Sequence, residues 1–124
     1  MNVVDSSGWL EYFADGSNAD FFAQVIENVS ELIVPSISIY EVFKRVLQQR
    51  GEDDALQAVA IMEQGQVANL DMTISLSAAK ISMELNLPMA DSIMLATTRA
   101  YNAILWTQDS DFKDIEGVRY IERR

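Results

Sequence analysis

Residues 2–7, Asn2-Val3-Val4-Asp5-Ser6-Ser7, decide the fold class. Asn2 to Val4 is a short run suited to a buried strand. It ends on the acid Asp5, and Ser6-Ser7 behind it can cap a helix that runs through Phe13. The same alternation continues outward. A turn at Asp15-Gly16-Ser17-Asn18 leads into Asp20 to Val29, where Phe21, Phe22, Val25, Ile26 and Val29 fall at helical spacing. Leu32 to Val34 is a second strand, halted by Pro35. From Ser38, the positions Ile39, Val42, Phe43, Val46 and Leu47 trace a helix that ends at Gly51.

Further along, helices are predicted over about Asp53 to Glu63 and Thr73 to Leu85, with a weak strand at Val67 to Leu70 between them. Asp91 opens a helix apolar on most sides (Ile93, Met94, Leu95, Ala96, Ala100). Ala103 to Trp106 is a strand, Asp109 to Phe112 a short turn and Val118 to Ile121 a last strand. Strands separated by helices pair in parallel through crossovers, so the fold class is α/β: a three-layer sandwich with a central, mainly parallel sheet flanked by helices. The 124 residues suit one domain spanning 1–124.

Composition narrows the chemistry. There is no cysteine, which removes disulfides, thiol nucleophiles and zinc–thiolate sites. Histidine is absent as well, so no imidazole can serve as base, acid or ligand, and phosphodiester cleavage driven by histidine is excluded. Carboxylates holding a hard cation are the remaining means. The net charge of -10 argues against a generic nucleic-acid coat, although a local basic rim can still meet phosphates. No apolar run approaches a bilayer span and no basic flank leads into a signal region, so the expected compartment is the cytoplasm, without a membrane.

In sheets of this class, sites form beyond the carboxyl ends of the strands. Asp5 and Asp109 both follow predicted strand ends and are expected on one edge. Asp91 and Glu41 lie near helix starts facing the same crevice. Each acid also has a purely structural account: Asp5 and Asp91 as helix caps, Asp109 as a turn cap, and Glu41 in capping-box spacing with Ser38 or facing water. Taken as a set they carry an electrostatic cost. Two carboxylates about 5 Å apart repel by about 3 kcal/mol at an effective dielectric near 20, so a cluster of four calls for a cation, and oxygen-only ligands favour Mg²⁺ or Mn²⁺.

Four segments carry a family resemblance: Val3-Val4-Asp5-Ser6-Ser7, Ser36-Ile37-Ser38-Ile39-Tyr40-Glu41, Leu87-Pro88-Met89-Ala90-Asp91-Ser92-Ile93 and Leu105-Trp106-Thr107-Gln108-Asp109-Ser110-Asp111-Phe112. In their order and spacing the chain resembles a PIN domain, most closely the VapC-type toxins of toxin–antitoxin pairs. The resemblance implies a Mg²⁺-dependent endoribonuclease with Asp5, Glu41, Asp91 and Asp109 as the catalytic acids. Asp5, Asp91 and Asp109 would hold metal, with Asp111, Thr107 and Ser6 as auxiliary residues. It also implies an RNA substrate, a cognate antitoxin and a homodimer. Ser6 stands where threonine is common, and Gln108 where a basic residue is frequent, which implies weaker phosphate contact at the rim. Lys44 and Arg45, beside Glu41, are candidates for that rim, and Arg123-Arg124 is expected to be solvated. Two rivals are a catalytically silent PIN-like module that only binds a partner and a phospho-acceptor receiver domain, the latter disfavoured because it needs paired acids after the first strand.

Overall fold

The computed structural model describes residues 1–124 and contains five strands and six α-helices, with two short 3-10 turns. The strands are β1 (Asn2–Val4), β2 (Leu32–Pro35), β3 (Gln66–Ala68), β4 (Ile104–Thr107) and β5 (Val118–Tyr120). The helices are α1 (Ser6–Phe13), α2 (Ala19–Ile26), α3 (Ser36–Arg50), α4 (Glu52–Met62), α5 (Met72–Leu85) and α6 (Met89–Ala100). The strands form one sheet in the order β3-β2-β1-β4-β5, and every pair is parallel. That order differs from the 2-1-3-4-5 order of receiver-type domains, which removes the receiver alternative on topology.

The short strands carry apolar side chains on both faces because both faces are covered by helices. Val3, Ile33 and Leu105 point into one core layer with α5 and α6. Their neighbours Val4, Val34 and Trp106 point into the other, with Trp9, Phe22, Val42 and Met62. This is the expected three-layer sandwich.

Several element ends shift from the sequence reading, each for a local reason. Helix α3 begins at Ser36, directly behind Pro35, whose φ of -62° suits the residue leading into a helix. Ser38 is therefore already helical, and its hydroxyl is buried against Met94 Sδ at 3.2 Å. The capping-box alternative for Ser38 and Glu41 falls with it. Helix α6 begins at Met89, which puts Asp91 in the first turn and not at the cap. Helix α2 closes at Ile26, and Val29 enters a 3-10 turn. No helix is long and apolar enough to cross a membrane.

Candidate active site

The order β3-β2-β1-β4-β5 makes the chain leave β1 toward one side of the sheet and return to β4 on the other. The gap beyond the carboxyl ends of β1 and β4 is thus the topological switch point, where parallel sheets open a crevice. Register pairs Val4 with Trp106, so the next residues of the two strands, Asp5 and Thr107, emerge side by side. Thr107 Oγ1 donates to Asp5 Oδ2 at 2.6 Å and accepts from the Asp109 backbone N–H at 2.9 Å. One buried hydroxyl, with no solvent exposure, thereby ties the two strand-end acids together.

Asp5 is also the N-cap of α1. Its Oδ1 accepts from Gly8 N at 3.0 Å, and Ser7 Oγ lies 2.9 and 3.0 Å from its two oxygens. Of the two caps offered by the sequence, Ser6-Ser7 and Asp5, the structure takes Asp5, because a carboxylate at the strand end meets the free N–H groups of the first turn. The residue is 4% exposed. Burial raises its carboxyl to about 6, and the hydrogen bonds from Thr107, Gly8 and Ser7 only partly offset this.

Asp109 in turn caps a 3-10 turn over Ser110–Phe112, and its Oδ1 accepts from Asp111 N at 2.9 Å. This turn brings Asp111 back toward Asp91. Carboxylate oxygens of Asp91, Asp109 and Asp111 all lie within 4.8 Å of one another. Asp91 is half-buried and faces four further acids. Desolvation first, then the charges of Asp109, Asp111, Asp5 and Glu41, raise its carboxyl to about 7. The molecule's one ion pair joins the N-terminal amine to Glu31, so no lysine or arginine neutralises this cluster. An all-oxygen donor set with no counter-ion from the chain fits a hard divalent cation.

Glu41 does not simply face water, as its helix alone suggested. It is half-buried, and Ser6 Oγ donates to its Oε1 at 2.6 Å across 35 residues of sequence. Of the expected site residues, Asp5, Asp91, Asp109, Asp111, Thr107, Ser6 and Glu41 are therefore brought to one crevice. Asp111, expected as auxiliary, stands in the tightest trio, whereas Asp5 stands outside that trio, held by its own donors.

Lys44 and Arg45 part company. Lys44 Nζ sits 5.8 Å from the centre of the Tyr40 ring, while Arg45 lines a groove next to the crevice. Gln108 is turned inward as a buried brace where the crevice meets this groove. It is 4% exposed, its Oε1 accepts from Asn18 Nδ2 at 3.0 Å, and its Nε2 donates to Ser7 O at 3.4 Å. Asn18 Nδ2 donates as well to Glu122 O at 3.1 Å, so a buried amide pair anchors both flanks of the crevice and the C-terminal tail. Gly8 was also missed by sequence reasoning. A Cβ there would lie 2.6 Å from Val4 Cγ1 and from Phe22 Cε1, and a glycine directly behind a strand-end acid and its serines is the signal that could have found it.

The PIN domain family model matches residues 3–118. A search of curated proteins by sequence finds no match. Among solved structures, the chain is similar to a toxin–antitoxin complex from Klebsiella pneumoniae (TM-score 0.80, 21% identity, 96% of each chain covered). It is similar to VapC20 of Mycobacterium tuberculosis, described as a sarcin-ricin loop cleaving toxin (TM-score 0.76, 15% identity, 94% of this chain and 95% of that chain). It is likewise similar to DNA-bound VapBC from Salmonella typhimurium (TM-score 0.76, 15% identity, 98% and 97%).

Proposed function

The chain belongs to the PIN domain family, and from that premise we propose that it is a divalent-metal-dependent endoribonuclease, the toxin of a toxin–antitoxin pair. The observation that carries this reading is the convergence of Asp91, Asp109 and Asp111 at the β1/β4 switch point with no cation of the chain to offset them. Asp91, Asp109 and Asp111, with Asp5 beside them, are the residues to hold Mg²⁺ or Mn²⁺. When bound, such an ion lowers the pKa of a water and offsets charge on phosphoryl oxygens.

The chain's own residues do the rest. Thr107 holds Asp5 and the Asp109 backbone in one frame, so the two strand-end carboxylates keep a fixed separation. Ser6 orients Glu41, which accepts a proton from the attacking water. Water oxygen bonds to phosphorus, the bond from phosphorus to the 3'-oxygen breaks, and a proton passes to that oxygen. The products carry a 5'-phosphate and a 3'-hydroxyl. Purified protein is expected to cleave single-stranded RNA with Mg²⁺ or Mn²⁺ and to stop on EDTA or in Asp5→Asn. Cleavage that survives both would sink the reading, and binding without any cleavage would favour the silent partner-binding module.

The partner reading draws on the solved neighbours that are toxin–antitoxin complexes. An antitoxin carrying a basic segment suits an acidic crevice on a chain of net charge -10. Pairing of two copies is supported by an exposed apolar stripe on α5, Met72, Leu76 and Met83; Met83 is 88% exposed. Light scattering of Met83→Glu is expected to report a monomer where the parent chain reports a dimer.

A further inference from the structure

A groove lies beside the acidic crevice and not over it. Its volume is 500 Å³, and Ser7 and Gln108, which flank Asp5 and Asp109, form its near end. Helix α3 links the two regions. Glu41, Arg45 and Gln49 follow one another at intervals of four, so they share one helical face and climb it by about 6 Å per step. Glu41 belongs to the crevice, and Arg45 and Gln49 line the groove.

The groove is the cationic part of an anionic protein. Arg45, Arg50 and Arg123 line it against two acids, Glu11 and Asp54, in a chain with only nine lysines and arginines. None of the three guanidiniums is in an ion pair. Glu11 is already engaged, since its Oε2 accepts from Asn18 N at 2.8 Å. Leu10, Phe13 and Ile61 supply apolar surface between the charged and amide groups. Free guanidiniums reaching the groove from α3 and from the C-terminal tail, with apolar surface to receive bases or ribose, are the chemistry that follows a single-stranded phosphodiester backbone.

We infer that this groove, lined by Arg45, Arg50 and Arg123, is the track for the RNA strand flanking the phosphate cut in the acidic crevice. The inference rests on the proposed ribonuclease reading and assigns to that site the arm of the substrate it grips. The alternative occupant, an acidic protein segment, lacks the continuity along α3 from the reacting phosphate. Each step of that helical face is comparable with the step between phosphates of an extended strand. The same track explains how a polyanion is retained by a protein of net charge -10.

The test separates binding from cleavage. In an Asp5→Asn background, the anisotropy of a labelled single-stranded RNA oligonucleotide is titrated over a range of salt concentrations with and without Arg50→Ala plus Arg123→Ala. Arg45 is left intact because it lies one turn from Glu41. The exposed double variant is expected to bind about tenfold more weakly, and its slope of log affinity against log salt is expected to fall by about 1.4, or about 0.7 for each lost phosphate contact. With Asp5 restored, KM for the oligonucleotide is expected to rise while kcat stays within about twofold, and a trinucleotide too short to enter the groove is expected to lose the KM effect. Unchanged affinity and slope overturn the inference. So does a loss of kcat alone, or weakened capture of a co-expressed antitoxin with RNA affinity intact, which gives the groove to a protein. If the parent chain never cleaves RNA, the ribonuclease reading falls, while the anisotropy still reports on the track.

Discussion

The acidic crevice and the arginine groove share a border at Ser7 and Gln108, yet they treat charge in opposite ways. In the crevice, carboxylates are fixed by donors from the chain: Thr107, Gly8 and Ser7 on Asp5, Ser6 on Glu41, and Asp111 N on Asp109. In the groove, guanidiniums project from α3 and the C-terminal tail with no carboxylate partner. On the proposed reading, acids are held where a cation needs a preset geometry, and cations are left free where an anionic chain of variable shape is followed. Segregation, and not pairing, keeps both regions available; burial raises the Asp5 carboxyl to about 6, and burial followed by the charges of neighbouring acids raises that of Asp91 to about 7.

The strongest way to break this comparison is to remove one repelled acid. Asp91→Asn is expected to lower RNA cleavage at least about 10²-fold, the scale of losing one electrostatic element of a site. It is also expected to raise the melting temperature of metal-free protein at pH 8, since a half-buried charge facing four others disappears. A gain of about 1 kcal/mol appears as roughly 3–6 °C in a chain of this size. A melting temperature that falls instead would show that Asp91 chiefly stabilises the first turn of α6.

A pH series sharpens the same point. Asp5 and Asp91 titrate at about 6 and about 7 in the folded chain, against 3.8 ordinarily. Between roughly pH 4 and 7 the folded state therefore binds more protons than the unfolded state, so metal-free stability falls as pH rises through that window. Added Mn²⁺ is expected to raise the melting temperature more at pH 8 than at pH 5.5, because protons and metal compete for the same oxygens. Equal shifts at both pH values would remove the carboxylate cluster as the binding site.

Smaller effects test the supports. Thr107→Val leaves Asp5 Oδ2 and Asp109 N–H without their shared partner and is expected to cost about 1–3 kcal/mol in chemical denaturation. Because Thr107 is the largest influence lowering the Asp5 carboxyl, the acid limb of the pH–rate profile is expected to move to higher pH. Gly8→Ala forces a methyl against Val4 and Phe22 and is expected to cost about 1–3 kcal/mol through overpacking. The smallest effect is expected for Lys44→Ala. Lys44 lies over Tyr40, away from the groove, so RNA affinity should change less than in any variant of Arg45, its sequence neighbour; an equal loss in both would widen the track to the outer face of α3.

Much of this was legible in the chain. Short apolar runs interrupted by helical periodicity gave parallel crossovers, and the missing histidine and cysteine left carboxylates as the only candidates for the chemistry. Asp5 and Asp109 were identifiable because an acid directly behind a strand sits at a sheet's carboxyl edge by construction. Glu41 was not identifiable from its own helix, because the contact that holds it comes from Ser6, 35 residues earlier. Gln108 looked like a weakened rim residue and is a buried brace to Asn18, 90 residues away.

The sequence by itself determined the elements, the acidic inventory and the edge on which two of the acids emerge, since these depend on local periodicity and on which side chains exist. Only the tertiary structure decided that Asp111 closes on Asp91 and Asp109, that Asp5 is held by a threonine from the neighbouring strand, and that Arg45, Arg50 and Arg123 share one groove. The physical reason is that strand order and helix docking are set by burial of two apolar faces at once. That non-local balance brings together side chains which no short window of sequence relates.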